Sequence, residues 1–323
     1  MPPRSDDDWL TAAARLSLRG RPSSYPNPAV GAVIVRDDRV LARGWTQAGG
    51  RPHGEAAALD QASEAARGAT LYSTLEPCAH RSPRGPSCSE RIAAAGIARV
   101  VYAMRDPDPR TDGKGADRLR EAGIEVVRLD NEPAREALAG FLVRQRLGRP
   151  HVTLKLAMSL DGQIALADGS SRWITGETAR AHVHSRRALA DAICVGGGTW
   201  RADRPRLDVR LAGLEHRSPA RVVLTRGVAP DGVQVVNMPA QIARLDAHWL
   251  YLEGGAGAAA AFLEADLVDR LDIYTAPILI GRGRASLGDI GLTDLATAHG
   301  RWHLAERRQL GKDGYAAYTR QRS

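Results

Sequence analysis

The feature that most constrains this chain is His53-Gly54-Glu55, followed by Pro77-Cys78 and then Cys88. An imidazole and two thiolates make a ligand set that zinc takes, so any fold that uses them must draw three distant positions to one point. Glu55 is then a nearby carboxylate that need not be a ligand. A zinc held by three protein groups keeps its fourth position for water and lowers that water's pKa toward ~7. Hydroxide is then available to attack an electron-poor ring carbon, with Glu55 moving the protons. A structural site would fill the fourth position with another Cys or His, and the only other candidate close by is His80.

Local patterns place these residues. Residues 9–18 carry apolar positions at helical spacing behind an acidic run, which predicts a short opening helix. Pro26 and Pro28 bracket Asn27 and hold it rigidly at the entrance of a strand over 29–35, where its amide can meet the edge of a heterocycle. Asp37-Asp38 predicts a hairpin tip and 40–45 the returning strand. Pro52 signals a helix start, and the Ala-rich stretch 53–66 predicts the helix itself. On such a helix His53 and Glu55 point about 200° apart, which keeps Glu55 off the metal. Strands over 69–75 and 98–104 and a helix over 89–95 follow; Cys78 and Cys88 gain from helix N-terminal charge that favours thiolates. A helix over 115–122, a strand over 124–129 and an amphipathic helix over 132–146 complete an α/β alternation with a mixed sheet.

At 323 residues the chain suits two domains. Leu147-Gly148-Arg149-Pro150 is the expected joint, dividing it into 1–147 and 148–323. The net charge of +8 favours an acidic partner. Arginine is nevertheless spread without a basic block, and aromatics are only 5%. That balance suits a phosphorylated small molecule better than a nucleic-acid track. With two of three cysteines assigned to the metal, Cys194 stands alone and no disulfide framework follows. Neither a signal peptide nor a membrane span is legible, so a cytoplasmic protein is expected.

In the second half, 151–160 alternates as a strand carrying Lys155 and ends in the turn Ser159-Leu160-Asp161-Gly162. A polar loop leads to Trp173, and 177–189 predicts a basic helix with Arg187. A strand over 192–195 runs into the glycine-rich exit Gly196-Gly197-Gly198-Thr199, then Asp203, Leu207 and Arg210. A strand over 249–252 passes through Glu253-Gly254-Gly255-Ala256-Gly257 into an Ala-rich helix. Strand, glycine turn and helix N-terminus together form an anion-binding arrangement.

His53-x-Glu55, Pro77-Cys78 and a later Cys resemble the zinc deaminase signature. The long spacer before Cys88, Asn27 in Pro-Asn-Pro-x-Val-Gly and Asp106-Pro-Asp-Pro resemble the first half of the bifunctional riboflavin-biosynthesis deaminase-reductase family. That spacer is one residue longer than is common there, and Arg81 stands where a second His is usual. The second half is similar to the reductase half in order: Leu154-Lys155 through Asp161-Gly162, Ser171-x-Trp173, Thr199 with Asp203-x-Pro205, and Glu253-Gly-Gly.

The resemblance implies an α/β chain with a cytidine-deaminase-like three-layer α/β/α domain, then a dihydrofolate-reductase-like α/β domain. It implies zinc and NADPH as cofactors and a phosphorylated pyrimidine as substrate. Deamination would precede reduction of the ribosyl group to ribityl. Ala157, Trp173, Thr199, Asp203, Gly255, Ala256 and Gly257 would contact the cofactor. Asn27, Lys155, Ser171, Arg187, Leu207, Arg210 and Glu253 would line the substrates. Glu55 and Asp203 would be catalytic, and the guanidinium forks of Arg187 and Arg210 would hold phosphate. A homo-oligomer that binds neither nucleic acid nor membrane is expected. The alternative is a nucleic-acid-editing zinc deaminase with a non-catalytic basic second domain. One departure concerns residues 225–248, a 24-residue stretch broken by Pro230, Asp231-Gly232 and Pro239. Family members have room there for a further strand and helix, so NADPH binding and reductase competence depend on what this stretch retains.

Overall fold

The computed structural model describes residues 4–83, 85–228 and 231–322; Pro230 lies outside the described residues. The chain divides into two compact units, Met1–Gly148 and Arg149–Ser323.

In the first unit Ser5 and Asp8 cap α1 (Asp6–Ser17) reciprocally, each side chain accepting the other's backbone N–H. β1 (Gly31–Arg36) and β2 (Arg39–Trp45) pair antiparallel. Their turn places both Asp37 and Asp38 at left-handed φ, 51° and 56°, the tight-hairpin geometry that matches strand twist. There follow α2 (Gly54–Ala62), β3 (Thr70–Leu75), α3 (Cys88–Ala94), β4 (Arg99–Met104), α4 (Lys114–Glu121), β5 (Glu125–Arg128) and α5 (Glu132–Leu147). The sheet order is β2-β1-β3-β4-β5, with β3, β4 and β5 parallel. The strand period of two sorts the core into layers. Val33 and Val35 pack with Trp9, Leu138 and Phe141 on one face. Ala32 and Ile34 pack with Leu59, Ile92 and Leu119 on the other. This is the expected α/β/α sandwich.

The second unit is built on an eight-stranded sheet. In chain order its elements are β6 (His151–Ser159), β7 (Gln163–Leu166), α6 (Glu177–Arg187), β8 (Ala192–Gly196), α7 (Gly197–Asp203), β9 (Ala220–Leu224), β10 (Gln234–Val236), β11 (Trp249–Leu252), α8 (Ala256–Glu264), β12 (Arg270–Ala276), β13 (Gly283–Ala285), β14 (Trp302–Leu310) and β15 (Asp313–Arg320). The order β10-β9-β8-β11-β6-β12 is parallel throughout, and β15 and β14 follow antiparallel. Six strands therefore end on one edge, where open α/β sheets bind ligands.

Two expectations change here. Gly196–Thr199 is not an open glycine exit, because Gly197 already begins α7. Residues 225–248 do not lose their strand: β10 pairs on β9, with Val235 opposite Val223. What stands in place of a further helix is a 3-10 turn, Pro239–Arg244, whose Ile242 and the following Leu245 cover the core around Val222 and Val236. Among the described residues no helix is long and apolar enough to cross a membrane.

Candidate active sites

The first site sits where three elements meet. His53 is not inside the first turn of a helix, as expected from 53–66, but is the N-cap of α2 with extended backbone (φ −67°, ψ 161°). With His53 outside the helix, it and Glu55 are not held about 200° apart, and both side chains reach the same centre. Gly54 permits this, since a Cβ there would stand 2.6 Å from the Val30 carbonyl oxygen. Cys78 follows β3 through Glu76-Pro77. Cys88 opens α3, whose N-cap Ser87 forms a capping box with Glu90.

The ligand atoms of His53, Cys78 and Cys88 lie within 4.8 Å of one another. His53 Nδ1 is 3.6 Å from Cys78 Sγ and 3.3 Å from Cys88 Sγ. Tetrahedral zinc with Zn–S about 2.3 Å and Zn–N about 2.0 Å separates neighbouring donors by roughly 3.5–3.8 Å, so the donor set fits that ion. Among the described residues no fourth His, Cys, Asp or Glu joins the cluster. Hydrogen bonding from Cys88 and the nearby His53 pull the Cys78 thiol down to about 4, while Cys78 and burial push Cys88 up. The Cys88 backbone N–H also donates to Cys78 Sγ at 3.2 Å. Metal binding requires both sulfurs as thiolates.

Glu55 is buried, with Oε2 3.7 Å from Cys88 Sγ and Oε1 accepting from the Ser73 hydroxyl at 3.5 Å. Burial raises its pKa to about 7, against the opposing pull of His53. The Asn27 amide nitrogen donates to the Gly50 carbonyl at 2.8 Å and lies 3.3 Å from His53 Nε2, so Asn27 orients the ring as well as lining the site. A cavity of about 560 Å³ opens here, lined by Asn27, His53, Glu55 and Cys78.

Other lining groups went unassigned in the sequence. Asp106 and Arg51 face this cavity, and burial raises the Asp106 pKa to about 6. The buried Glu76 carboxylate accepts from the backbone N–H groups of Gly113, Gly115 and Ala116 at 3.0–3.1 Å, pinning the start of α4 beside Cys78. Its signal was a carboxylate at a strand end immediately before Pro-Cys.

In the second unit a cavity of about 520 Å³ is lined by Lys155, Ala157, Ser171, Trp173, Arg187, Thr199, Asp203, Leu207, Arg210, Glu253 and Gly255. Ala256 and Gly257, at the start of α8, are not part of that lining. The outward, solvated position that a mid-strand lysine takes by default does not apply to Lys155. Its Nζ is 3.8 Å from Glu253 Oε2, and burial lowers its pKa. Arg187 grips Glu253 with both arms of its fork, Nε to Oε1 at 2.5 Å and Nη2 to Oε2 at 2.9 Å, and donates from Nη1 to the Asp208 carbonyl at 2.8 Å. Despite burial, Arg187 and Lys155 keep the Glu253 pKa below its usual value. Arg187 therefore offers no free fork to a phosphate. Leu207 is buried with φ 56°, a costly conformation for leucine that the Arg187 bond to the next residue helps to hold. Arg210 is exposed and only loosely paired, its Nε 3.5 Å from Asp208 Oδ1. Asp203 ends α7 on the exposed side of the cavity. Trp173 is exposed beneath Arg180, whose Cζ lies 4.7 Å above the ring.

The glycine turn leaves part of its backbone uncovered. Gly255 N–H donates to Thr199 Oγ1 at 3.2 Å, and a Cβ built on Gly198 or Gly257 would meet nothing within 4 Å. A ligand's phosphate can therefore approach that backbone closely.

Residues 3–104 match the cytidine and deoxycytidylate deaminase zinc-binding region, and residues 150–315 match the RibD C-terminal domain. The chain is 37% identical to the riboflavin biosynthesis protein RibD of Escherichia coli K12, covering 95% of this chain and 97% of that one. It is 38% identical to RibD of Mycobacterium tuberculosis H37Rv, covering 96% of each. Among solved structures, Acinetobacter baumannii RibD superposes with a TM-score of 0.86 at 35% identity, over 98% of this chain and 99% of that one. A Thermotoga maritima diaminohydroxyphosphoribosylaminopyrimidine deaminase/5-amino-6-(5-phosphoribosylamino)uracil reductase superposes with a TM-score of 0.87 at 29% identity, with the same coverage. The second half is thus a reductase domain, not the basic binding module of the alternative reading.

Proposed function

Since the chain belongs to the RibD family of riboflavin-biosynthesis proteins, and so is a bifunctional deaminase and reductase, we propose that the residues described above carry the two activities, one set in each unit. The first unit deaminates a phosphoribosylated diaminopyrimidine. The second then reduces the ribosyl side chain of that product to ribityl with NADPH.

His53, Cys78 and Cys88 would hold zinc, which when bound supplies a water acidic enough to act as hydroxide near neutral pH. Glu55 takes up and returns the protons. A carboxyl with a pKa about 7 serves both directions near neutral pH, and the Ser73 hydroxyl helps to hold it in place. Asn27 steadies the His53 ring and closes the cavity beside it. The single observation that carries this half is the convergence of three donor atoms within 4.8 Å, with Glu55 3.7 Å from one of them.

In the second unit NADPH supplies a hydride when bound. Asp203, which lines the same cavity, would give a proton to the ribose ring oxygen as C1′ is reduced. Glu253 holds Lys155 and Arg187 against one wall of the cavity, which shapes it around the sugar. Arg210 and Ser171 would hold the substrate phosphate, because the Arg187 fork is committed to Glu253. The domain limits of the proposal are 1–147 and 148–323. It also includes a cytoplasmic homo-oligomer, which cell fractionation and sedimentation test.

The deciding experiment incubates the full chain with the phosphorylated diaminopyrimidine, with and without NADPH, scoring ammonia release and NADPH oxidation separately. Ammonia without NADPH, and oxidation only once it is added, are expected. Ammonia with no oxidation at all would remove the assignment of the second cavity, and no ammonia would remove that of the first.

A further inference from the structure

We propose that Arg118 is a positioning residue for the metal centre of the first unit: its guanidinium clasps the two ends of the loop between Cys78 and Cys88 and so holds both sulfurs within reach of one ion. The inference rests on the reading of His53, Cys78 and Cys88 as zinc ligands.

Two thiolates brought to one point repel each other, so a preformed site needs protein groups that hold its donors in place. Nine residues separate Cys78 from Cys88, and a free loop of that length spans many end-to-end separations. Part of its length folds on itself, because Ser82 and Gly85 exchange backbone hydrogen bonds at 3.2 and 3.0 Å. The ends are closed from outside the loop.

Helix α4 supplies that closure. Gly115 packs on the Pro77 carbonyl, and residues three apart on a helix share a face, so Arg118 emerges over the same segment. Its Nη1 donates to the Ala79 carbonyl at 2.5 Å and to the Ser87 hydroxyl at 3.1 Å. Ala79 directly follows one thiol and Ser87 directly precedes the other. One nitrogen with two hydrogens therefore spans both ends of the loop. Backbone bonds join the same ends, with the Ser89 N–H donating to the Cys78 carbonyl at 3.1 Å and the Cys88 N–H to Cys78 Sγ at 3.2 Å.

The bonding of Ser87 carries the clasp to the ligand itself. Its hydroxyl donates to Glu90 Oε2 at 3.0 Å and accepts from the Glu90 N–H at 3.3 Å, which leaves one lone pair for Arg118. Ser87 is thus the N-cap of α3, and Cys88 is the first residue of that helix, so fixing the cap fixes where the Cys88 side chain starts. Other groups do less. Thr111 Oγ1 reaches the first end, accepting from the Ala79 N–H at 3.5 Å. The Glu90 carboxylate already has a cation, Arg81 at 2.7 Å, while Arg118 stands 3.9 Å from it. Arg118 is therefore directed at the two loop ends more than at an ion-pair partner.

The test uses the full chain as wild type, Arg118→Met, Arg118→Lys and Arg120→Met, the last removing an exposed cation of the same helix that pairs with Asp117. Zinc affinity is measured by competition with a chromophoric chelator. Arg118→Met should weaken it roughly 10–100-fold, the range for groups that orient a metal ligand without touching the metal. Lysine keeps a cation with several donors and should recover most of that loss. Arg120→Met should bind zinc as wild type does. Cobalt in place of zinc, recorded at saturating metal, reads donor geometry even in a variant of lowered stability. Its visible absorption should shift in Arg118→Met and return toward wild type in Arg118→Lys. Wild-type zinc affinity in Arg118→Met overturns the inference and leaves the zinc reading standing. So does equal weakening in Arg120→Met, or no recovery by lysine. Weaker zinc with an unchanged cobalt spectrum also overturns it, because Arg118 would then act through the stability of the fold. A wild-type chain that takes up no zinc removes the zinc reading and this inference together.

Discussion

The Glu55 carboxylate lies 3.7 Å from the sulfur of Cys88, close to the metal donors without being needed as one. Proton transfer and metal retention should therefore separate on substitution. Glu55→Gln is expected to keep a full complement of zinc and lose deamination by about 10²–10⁴-fold, the usual worth of a positioned acid-base group. Metal content and ammonia release measured on the same sample check this. A variant that still releases ammonia at the wild-type rate would contradict it.

A remote glycine should govern the same metal. A Cβ on Gly115 would come within 1.9 Å of the Pro77 carbonyl oxygen, and the Gly115 N–H donates to Glu76. Gly115→Ala must push the start of α4 away from the Pro77-Cys78 segment. Weaker zinc retention under chelator challenge is expected although residue 115 is no ligand, while reduction of a supplied deaminated intermediate stays unchanged. Equal zinc release from variant and wild type would refute the coupling.

Glu253 neutralises two cations in the second cavity, Arg187 at 2.5 Å and Lys155 at 3.8 Å. Glu253→Gln leaves both charges buried without their anion, a change that costs about 3–5 kcal/mol where burial is complete. The expected outcome is a lowered unfolding midpoint for the second unit and loss of NADPH oxidation, with ammonia release intact. Preserved oxidation would show that the ion cluster does not shape the cavity.

Arg149 and Asp269 form a bidentate, nearly buried pair at the start of the second unit, at 2.7 and 2.9 Å. Burial raises the Asp269 pKa, but the Arg149 hydrogen bonds and charge, the nearby His151 and the Val152 N–H together bring it down to about 2. A depressed carboxyl pKa stabilises the fold above the unfolded value near 3.8, and that contribution fades as pH falls toward 2. It amounts to about 2 kcal/mol. Arg149→Met should remove part of this at neutral pH, since Arg322 and the Val152 N–H still hold Asp269, and the gap to wild type should narrow between about pH 4 and 2. Urea unfolding at several pH values checks this, and a gap independent of pH would rule out the pair as its source.

Much of the first unit was legible because its signals are local. Asp37-Asp38 turns where alternating apolar runs meet it, and β3, β4 and α5 fall within a few residues of their expected spans. The donor set was legible as chemistry, since few other roles ask for His, Cys and Cys beside one Glu. The C-terminal hairpin of β14 and β15 was missed. β14 is an edge strand, mostly exposed and rich in Arg and Glu, so it lacks the apolar alternation that marks a strand.

By itself the sequence determined which atoms are available and the short-range turns, caps and strand periods, because those depend on neighbours in the chain. Tertiary structure decided where the charges go: that the His53 ring meets Cys78 and Cys88, that the Arg187 fork closes on Glu253, and that Lys155 is turned inward. Such pairings join residues tens of positions apart, and strand order and register, rather than any local preference, choose which polar groups share a desolvated space and must neutralise one another.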